Sequence, residues 1–270
     1  MSLTSPQRLE TAVAGIPLLC ALALGSGCRT TPQLPEPTGG KLPPGAAAER
    51  VRQVDALYSE PRTTEEMVQS LELALSARKS PDTEGAGWRA ARSCAWLAEN
   101  HPEETSREDF ARKGVQIGEA ALAVKPANVE PYYYQALNLG LLSNITGSGL
   151  SRIAPMKGLA LHVIEIDERF AYGGGHRFLG VLCYRTSRIP FFAAGNAEDA
   201  ERHLNRALEL FPSHGDNLFK LAEFYVWNDA ADRARELLEQ LQQSPAPPDM
   251  TTEHAAWLVK GQELLSSLKD

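Results

Sequence analysis

The chain has 270 residues, 43% of them hydrophobic and 23% charged, which is enough apolar content for one sizeable core or an extended stack. Its 34 acidic residues against 27 basic ones give a net charge of −7, which excludes the basic footprint of a nucleic-acid binder. Removing residues 1–27 takes away Arg8 and Glu10 together, so this balance is unchanged by the loss of a leader.

The first expected element is a targeting segment. Arg8 precedes an apolar run from Thr11 to Leu24 that is 14 residues long, shorter than the roughly 20 residues a membrane-spanning helix needs. Leu24-Gly25-Ser26-Gly27-Cys28 follows and resembles the lipobox of bacterial lipoproteins, with Gly25 where an apolar residue is usual. That resemblance implies a signal peptide over 1–27, a lipid on Cys28 and a membrane attachment through it. The competing reading is cleavage after Ala21-Leu22-Ala23, which would leave a soluble periplasmic protein. Arg29 in second place is not the aspartate read as an inner-membrane retention signal, so the resemblance implies the inner leaflet of the outer membrane. Residues 28–45 carry prolines at 32, 35, 37, 43 and 44 and glycines at 39, 40 and 45, and they predict an extended tether. In the polyproline form, at roughly 3.1 Å per residue, it would reach on the order of 50 Å.

From residue 46 to 270 the hydrophobic pattern is helical, with no run of period-two alternation. Helices are expected at 47–59, 64–79, 84–100, 106–124, 130–143, 150–169, 175–187, 197–211, 216–228, 230–243 and 252–268. Thr105 with Glu108 and Asn196 with Asp199 have the spacing of capping boxes, and Pro126 and Pro212 close helices. The pattern is most regular from Gly195 to Ala246. There, Ala200, Leu204, Ala207 and Pro212 mark the second helix of a tetratricopeptide-type unit, and Ala246 falls 34 positions after Pro212. Small residues one turn apart let antiparallel helices approach, while larger ones fill the grooves. A single hairpin cannot bury its apolar face, so the hairpins must stack, and the last helix, with Trp257 and Leu264, is expected to cap the stack. The two middle units each carry about 8 to 10 residues beyond the regular period. In the second unit the surplus lies between Cys183 and Gly195, at an edge where binding tends to occur.

Several blocks taken together resemble a known family. They are Pro131-Tyr132-Tyr133-Tyr134 through Gly140, Phe170-Ala-Tyr172-Gly173-Gly174-Gly175-His176-Arg177 through Gly180, the loop with Pro190, and Asn217 to Glu223. The family is the T component of TRAP transporters, called TatT, and the resemblance covers roughly residues 65–245. It implies a periplasmic lipoprotein of helical pairs, able to form a homotrimer with a pore through each subunit. It also implies a periplasmic solute-binding protein as partner and a small organic or apolar ligand. His176 departs from the family pattern, in which proline or tyrosine is common before the arginine.

The candidate ligand- or partner-binding residues are Tyr132, Tyr133, Asn138, His176, Arg177, Phe191 and Phe192. Each also has a plain structural reading. Three consecutive tyrosines point about 100° apart around a helix, so at most two share a surface. Arg177 is either a carboxylate clamp or one half of an ion pair. The glycines at 173–175 are either an anion cradle or a tight turn needing positive φ. Phe191 and Phe192, near Arg185 and Arg188, form a partner patch or fold back over the stack. Catalysis finds no footing. The six histidines lack metal spacing, no nucleophile motif is present, and Cys94 and Cys183 read as buried thiols or, if adjacent, a disulfide. The expectation is an all-α, tetratricopeptide-like solenoid with no cofactor beyond the Cys28 lipid and no metal. It would act by binding a small ligand or, in the alternative, as a scaffold for protein partners in the envelope.

Overall fold

The computed structural model describes residues 45–78, 85–123 and 126–268. The chain divides after Pro35, and every described residue belongs to the second unit, Glu36–Asp270. The expected signal segment, Cys28 and the tether up to residue 44 lie outside the described residues.

The described residues form eleven helices and no strand: α1 Ala46–Leu57, α2 Thr64–Ala77, α3 Ala86–Asn100, α4 Glu104–Leu122, α5 Glu130–Thr146, α6 Leu150–Asp167, α7 Phe170–Thr186, α8 Ala197–Leu210, α9 Gly215–Trp227, α10 Ala231–Gln242 and α11 Thr251–Ser267. Each expected helix is present within a few residues, except that α7 begins five residues early. Consecutive helices pack as hairpins, α1 on α2 through α9 on α10, and the first members of successive hairpins also touch. This is a tetratricopeptide-like solenoid. No helix among the described residues is long and apolar enough to cross a membrane.

The regular part is built as its period predicts. Ala200, Leu204 and Ala207 are the buried residues of α8, and all are at most 1% exposed. On α9 they meet Leu218, Leu221, Ala222 and Phe224, and on α10 Ala234, Leu238 and Leu241, in one continuous core. The Asn196–Asp199 capping box is formed, with each side chain accepting from the other residue's backbone N–H. The expected box at Thr105 and Glu108 is not formed. α4 starts two residues earlier than expected, at Glu104, and the Glu103 N–H is taken by the ring of His101. A box the sequence reading missed, Thr63 with Glu66, opens α2. Cys94 and Cys183 are both buried free thiols, so they do not pair. Burial in apolar surroundings pushes Cys94 up to about 12 and Cys183 up to about 11.

The early start of α7 has a specific form. Ala171, Tyr172 and Gly173 take left-handed backbone angles, with φ of 50, 58 and 76°, before the helix proper begins. The expected tight turn is therefore there, but two side-chain-bearing residues share it with the glycine. Left-handed geometry disfavours a Cβ by roughly 1–2 kcal/mol per residue, so something must hold Ala171 and Tyr172 in place. The next glycine serves close approach: a Cβ on Gly174 would sit 2.6 Å from the ring of Tyr133.

Candidate functional site

The first helices of the hairpins face inward. A cavity of about 700 Å³ runs along them, lined from α3, α5, α7, α9 and α11 together with the α1–α2 loop and the turns before α7 and α11. Its walls are rich in aromatic rings, among them Trp96, Tyr133, Tyr134, Phe178, Phe219 and Trp257. Its charge runs against that of the chain. Arg62, Arg92, Arg169, Arg177, Arg185, Lys220 and Lys260 line it, against Glu99, Asp216, Asp249 and Glu253, so an acidic protein encloses a cationic channel.

Five inner helices each place a polar group on the same belt. Arg177 of α7, 8% exposed, lies at its centre. Its Nε pairs with Asp216 Oδ2 at 2.7 Å, and Nη1 donates to Asn217 Oδ1 at 2.7 Å. The same guanidinium donates to the carbonyls of Tyr172 at 3.2 Å and Ala171 at 3.3 Å, and to the Tyr133 hydroxyl at 3.5 Å. Asn217 adds a bond from its amide to the Tyr172 carbonyl. The left-handed turn is thus fixed by the arginine and the asparagine that bind its carbonyls, and a planar fork of donors suits this role as an ammonium would not.

The electrostatics follow from enclosure. Burial pushes Asp216 up, but Arg177, then Lys220, outweigh it and hold the carboxyl below its ordinary range. Glu99 of α3 stands open to the channel, yet the channel withdraws it from bulk water. Burial and the facing Asp216 push Glu99 up, against Lys260, Lys220 and Arg177. Burial pulls Lys220 down, but Glu223, at 2.7 Å, and Asp216 raise it further. Among the described residues neither the Lys260 ammonium nor the Arg169 guanidinium is within 4.0 Å of a carboxylate, though Lys260 lies in the field of Glu99 and Asp216; Arg169 stacks on Phe211 with its guanidinium carbon 4.6 Å from the ring centre.

Of the residues singled out from sequence, Tyr133 and Arg177 meet in this channel, joined by Tyr134, which had no special place in that set. Tyr132 turns away. Its hydroxyl donates to the Pro126 carbonyl, and its ring sits edge-on to His162. Asn138 is fully buried, and its amide donates to the carbonyls of Ala91 and Tyr134, tying α5 to α3. His176 lies on the other side of α7, with its Nδ1 2.9 Å from that of His203 and its Nε2 3.6 Å from Glu168. Burial, followed by the neighbouring His176, pushes His203 down to about 4. Phe191 and Phe192 project from the α7–α8 loop, Phe191 fully exposed and with φ of 65°. No cluster of three or more His, Cys, Asp or Glu that could hold a metal exists among the described residues.

Lining residues that sequence reasoning passed over include Trp96, Glu99, Phe219, Lys220, Glu253 and Lys260, while Trp257, expected to cap the stack, also lines the channel. A signal was available in the spacing. Asp216 and Lys220 share one face of α9, opposite the buried Leu218, Leu221 and Ala222, and Glu253, Trp257 and Lys260 share one face of α11 at the same spacing. Charged groups at that spacing on an inner helix mark a lined channel.

A family model described as regulator of microtubule dynamics protein 1-3 matches residues 50–269, most of the chain. The chain belongs to that family. It differs in name from the family the sequence blocks resemble; the common ground is a tetratricopeptide-like helical repeat. No curated protein matches the chain in sequence. Among solved structures, a thermophilic TPR protein of Thermus thermophilus, TTC0263, superposes with a TM-score of 0.56 at 18% identity, over 79% of this chain and 99% of that one. This establishes the fold. The TPR domain of P58(IPK) aligns at 16% identity over 83% of this chain and 80% of its own, and yeast Tom70 at 10% over 86% and 67%. Their TM-scores of 0.28 and 0.22 are too low to bear on the architecture.

Proposed function

We propose that this protein acts by binding, holding in its channel a small organic molecule with an apolar body and an anionic head, as part of a membrane-attached uptake or sorting step. The observation that carries this reading is the cavity itself. Aromatic walls supply apolar contact, and Lys260 and Arg169 present cations whose side chains form no close ion pair among the described residues. Ligand pockets of several hundred cubic ångströms, mostly apolar with a few placed polar groups, are the usual form of a small-molecule site.

The setting we propose is that implied by the sequence. Cys28 carries the lipid, the tether holds the helical body off the bilayer, and the protein hands its ligand to or from a periplasmic solute-binding protein, as in the TatT family it resembles. More than one acyl chain is needed for durable attachment, since one gives only marginal binding. A mature protein that keeps a diacylglyceryl mass on Cys28, with Cys28→Ala released to the soluble fraction, is the expected result.

The experiment for the channel is titration with 1-anilinonaphthalene-8-sulfonate, an aromatic monoanion. Saturable one-site binding that is weakened in Lys260→Ala and Trp257→Ala is expected. Absence of binding, or binding unaffected by both changes, would overturn the reading. The fold favours a second reading, a scaffold whose concave face grips an extended protein segment. Recovery of one stoichiometric protein from detergent-solubilised membranes, with the channel free of small molecules by native mass spectrometry, would support that instead.

A further inference from the structure

The solenoid is closed by a polar seam between its first hairpin and its last helix. Residues 60 and 62, in the α1–α2 loop, reach residues 249–253 at the start of α11. The position before α11 is Met250, which has no side-chain oxygen to cap the helix. Glu60 does so instead, from 192 positions away: its Oε2 accepts from the Thr252 N–H at 3.2 Å and from the Thr251 and Thr252 hydroxyls at 3.0 and 2.5 Å. A carboxylate at this end of a helix is favoured by the free N–H groups and the dipole. Arg62 Nη1 lies 2.6 Å from Glu60 and 2.5 Å from Glu253, and its Nη2 donates to the Asp249 carbonyl at 2.6 Å. The Trp96 indole of α3 donates to Glu253 Oε1 at 3.1 Å. Arg62 and Arg92 both stack on Tyr58, at 4.4 and 3.8 Å, and Arg92 is also paired with Asp55. Next to this seam Asp249 accepts from the Tyr172 hydroxyl of α7.

Two carboxyl groups thus share one guanidinium, and the count is uneven. Glu60 Oε1, which meets Arg62 only as an ion pair, and Glu253 Oε2 are both buried with no hydrogen-bond partner. The two carboxyl groups also lie within hydrogen-bonding reach of each other. A single proton held between the two groups would leave the Glu60–Arg62–Glu253 group neutral, while two ionised carboxylates leave one buried negative charge uncompensated. Arg62, Thr252 and Glu253 also line the channel, so the seam is part of its wall.

We propose that this seam is a proton-set latch on the channel. With one proton shared between Glu60 and Glu253, the first hairpin grips α11 and the channel is shut; when that proton is lost, the start of α11 releases and the channel opens to its ligand. The gating half rests on the channel reading above. The two acids are shifted in opposite directions. Burial pushes Glu253 above the ordinary value of 4.5, so its contribution is present at low pH and lost as pH rises through that raised value. Glu60 is pushed up by burial, but its bonds from Thr252, Glu253 and Thr251 and the charge of Arg62 hold it below 4.5, so its contribution is lost only as pH falls through that lowered value. The seam is therefore tightest in mild acid, where one proton is bound.

Hydrogen exchange on the folded chain, corrected for the intrinsic pH dependence of exchange, tests the latch. Protection of the amides at 251–256 should fall about tenfold from about pH 5 to about pH 8, with the α8 amides unchanged over that range. Glu253→Gln, which stays neutral, should abolish the fall. A flat profile, an equal fall in α8, or a fall that persists in Glu253→Gln would overturn the latch. Stopped-flow uptake of 1-anilinonaphthalene-8-sulfonate should quicken as the seam loosens; uptake at one rate throughout would overturn the gating. No uptake at any pH, with a pH-responsive seam, would sink the channel reading and the gating with it.

Discussion

The hairpins α7–α8 and α9–α10 share one core, yet the helices within them are made in two ways. On α8 and α10 the buried residues recur every three or four positions and what lies between them is polar save Leu237, as a helix packed on one side requires. On α7 eleven residues are buried, and they include His176, Arg177 and Thr186. The outer helices only stack; the inner ones stack and also line a channel. Stacking needs small and large apolar groups in period, which a chain can supply anywhere. Lining needs charge in places where stacking alone would forbid it, and each such charge must then find a partner.

The sharpest way to break that contrast is to remove the central partner. Arg177→Met leaves Asp216 buried beside Glu99 with its nearest cation gone, and frees the carbonyls of Ala171 and Tyr172. Breaking a buried pair of this kind costs about 3–5 kcal/mol. Urea unfolding should register that loss, and Arg177→Lys should recover little of it, because a single ammonium cannot reach five acceptors at once.

On the outer side the matching change is Leu204→Ala. Leu204 is 1% exposed and fills the groove against α7, where a Cβ on Gly180 would lie 2.6 Å from it. The truncation should cost about 2–5 kcal/mol, according to how far the site collapses. The two variants would then differ in function though not in kind of instability. At temperatures where both are folded, Leu204→Ala should bind the aromatic anion as the parent does, and Arg177→Met should not. Equal binding by both would show that the belt has no part in recognition.

A smaller effect separates the two kinds of helix by pH. His214, at the start of α9, stacks on Tyr172 at 4.5 Å, and both of its ring nitrogens are buried without a partner. Burial, and then the charge of Arg177, push it down to about 3, from 6.5 when unfolded. A base with a lowered value in the folded state stays neutral there while the unfolded chain takes up the proton. Its contribution is therefore intact above 6.5 and is lost as pH falls toward 3. Between pH 7 and 5 the chain should lose about 2 kcal/mol from this group, at about 1.4 kcal/mol per unit below 6.5. His214→Phe keeps the stack and should flatten that limb of the stability profile. An unchanged slope would mean that the ring is protonated in the folded state.

How much of this was legible follows the same division. The 34-residue spacing around Pro212 depends only on local packing, so Ala200, Leu204, Ala207, the Asn196–Asp199 box and the eleven helices could be read from letters. The channel could be read only in part. Tyr133 and Arg177 stood out because they lie in an unusual run, whereas Glu99, Lys220 and Lys260 look like ordinary solvated residues until the stack brings α3, α9 and α11 around one axis. Asn138 and His176 drew notice for the same reason as Arg177, but the first ties two helices together and the second meets His203 on the far side of α7. The seam was illegible, since nothing local links Glu60 to Thr252. The lipid attachment expected at Cys28 concerns residues outside those the structure describes.

The smallest expected effect lies at the inserted loop between α7 and α8, where base and tip can be set against each other. At the base, Thr186 accepts from the buried Ala194 N–H at 2.9 Å and donates to the Leu182 carbonyl. Thr186→Val strands that N–H and should cost about 1–3 kcal/mol. At the tip, Phe191 is fully exposed and Phe192 half so, and neither ring is counted in the apolar core. Phe191→Ser and Phe192→Ser should therefore change stability by no more than about 0.5 kcal/mol in either direction. The Thr186–Ala194 bond closes the loop at its base, while Phe191, with its left-handed φ, stands at the exposed tip. A measured loss above about 1 kcal/mol at Phe191 would mean that the tip is covered in solution, by a second copy if the loss grows with protein concentration.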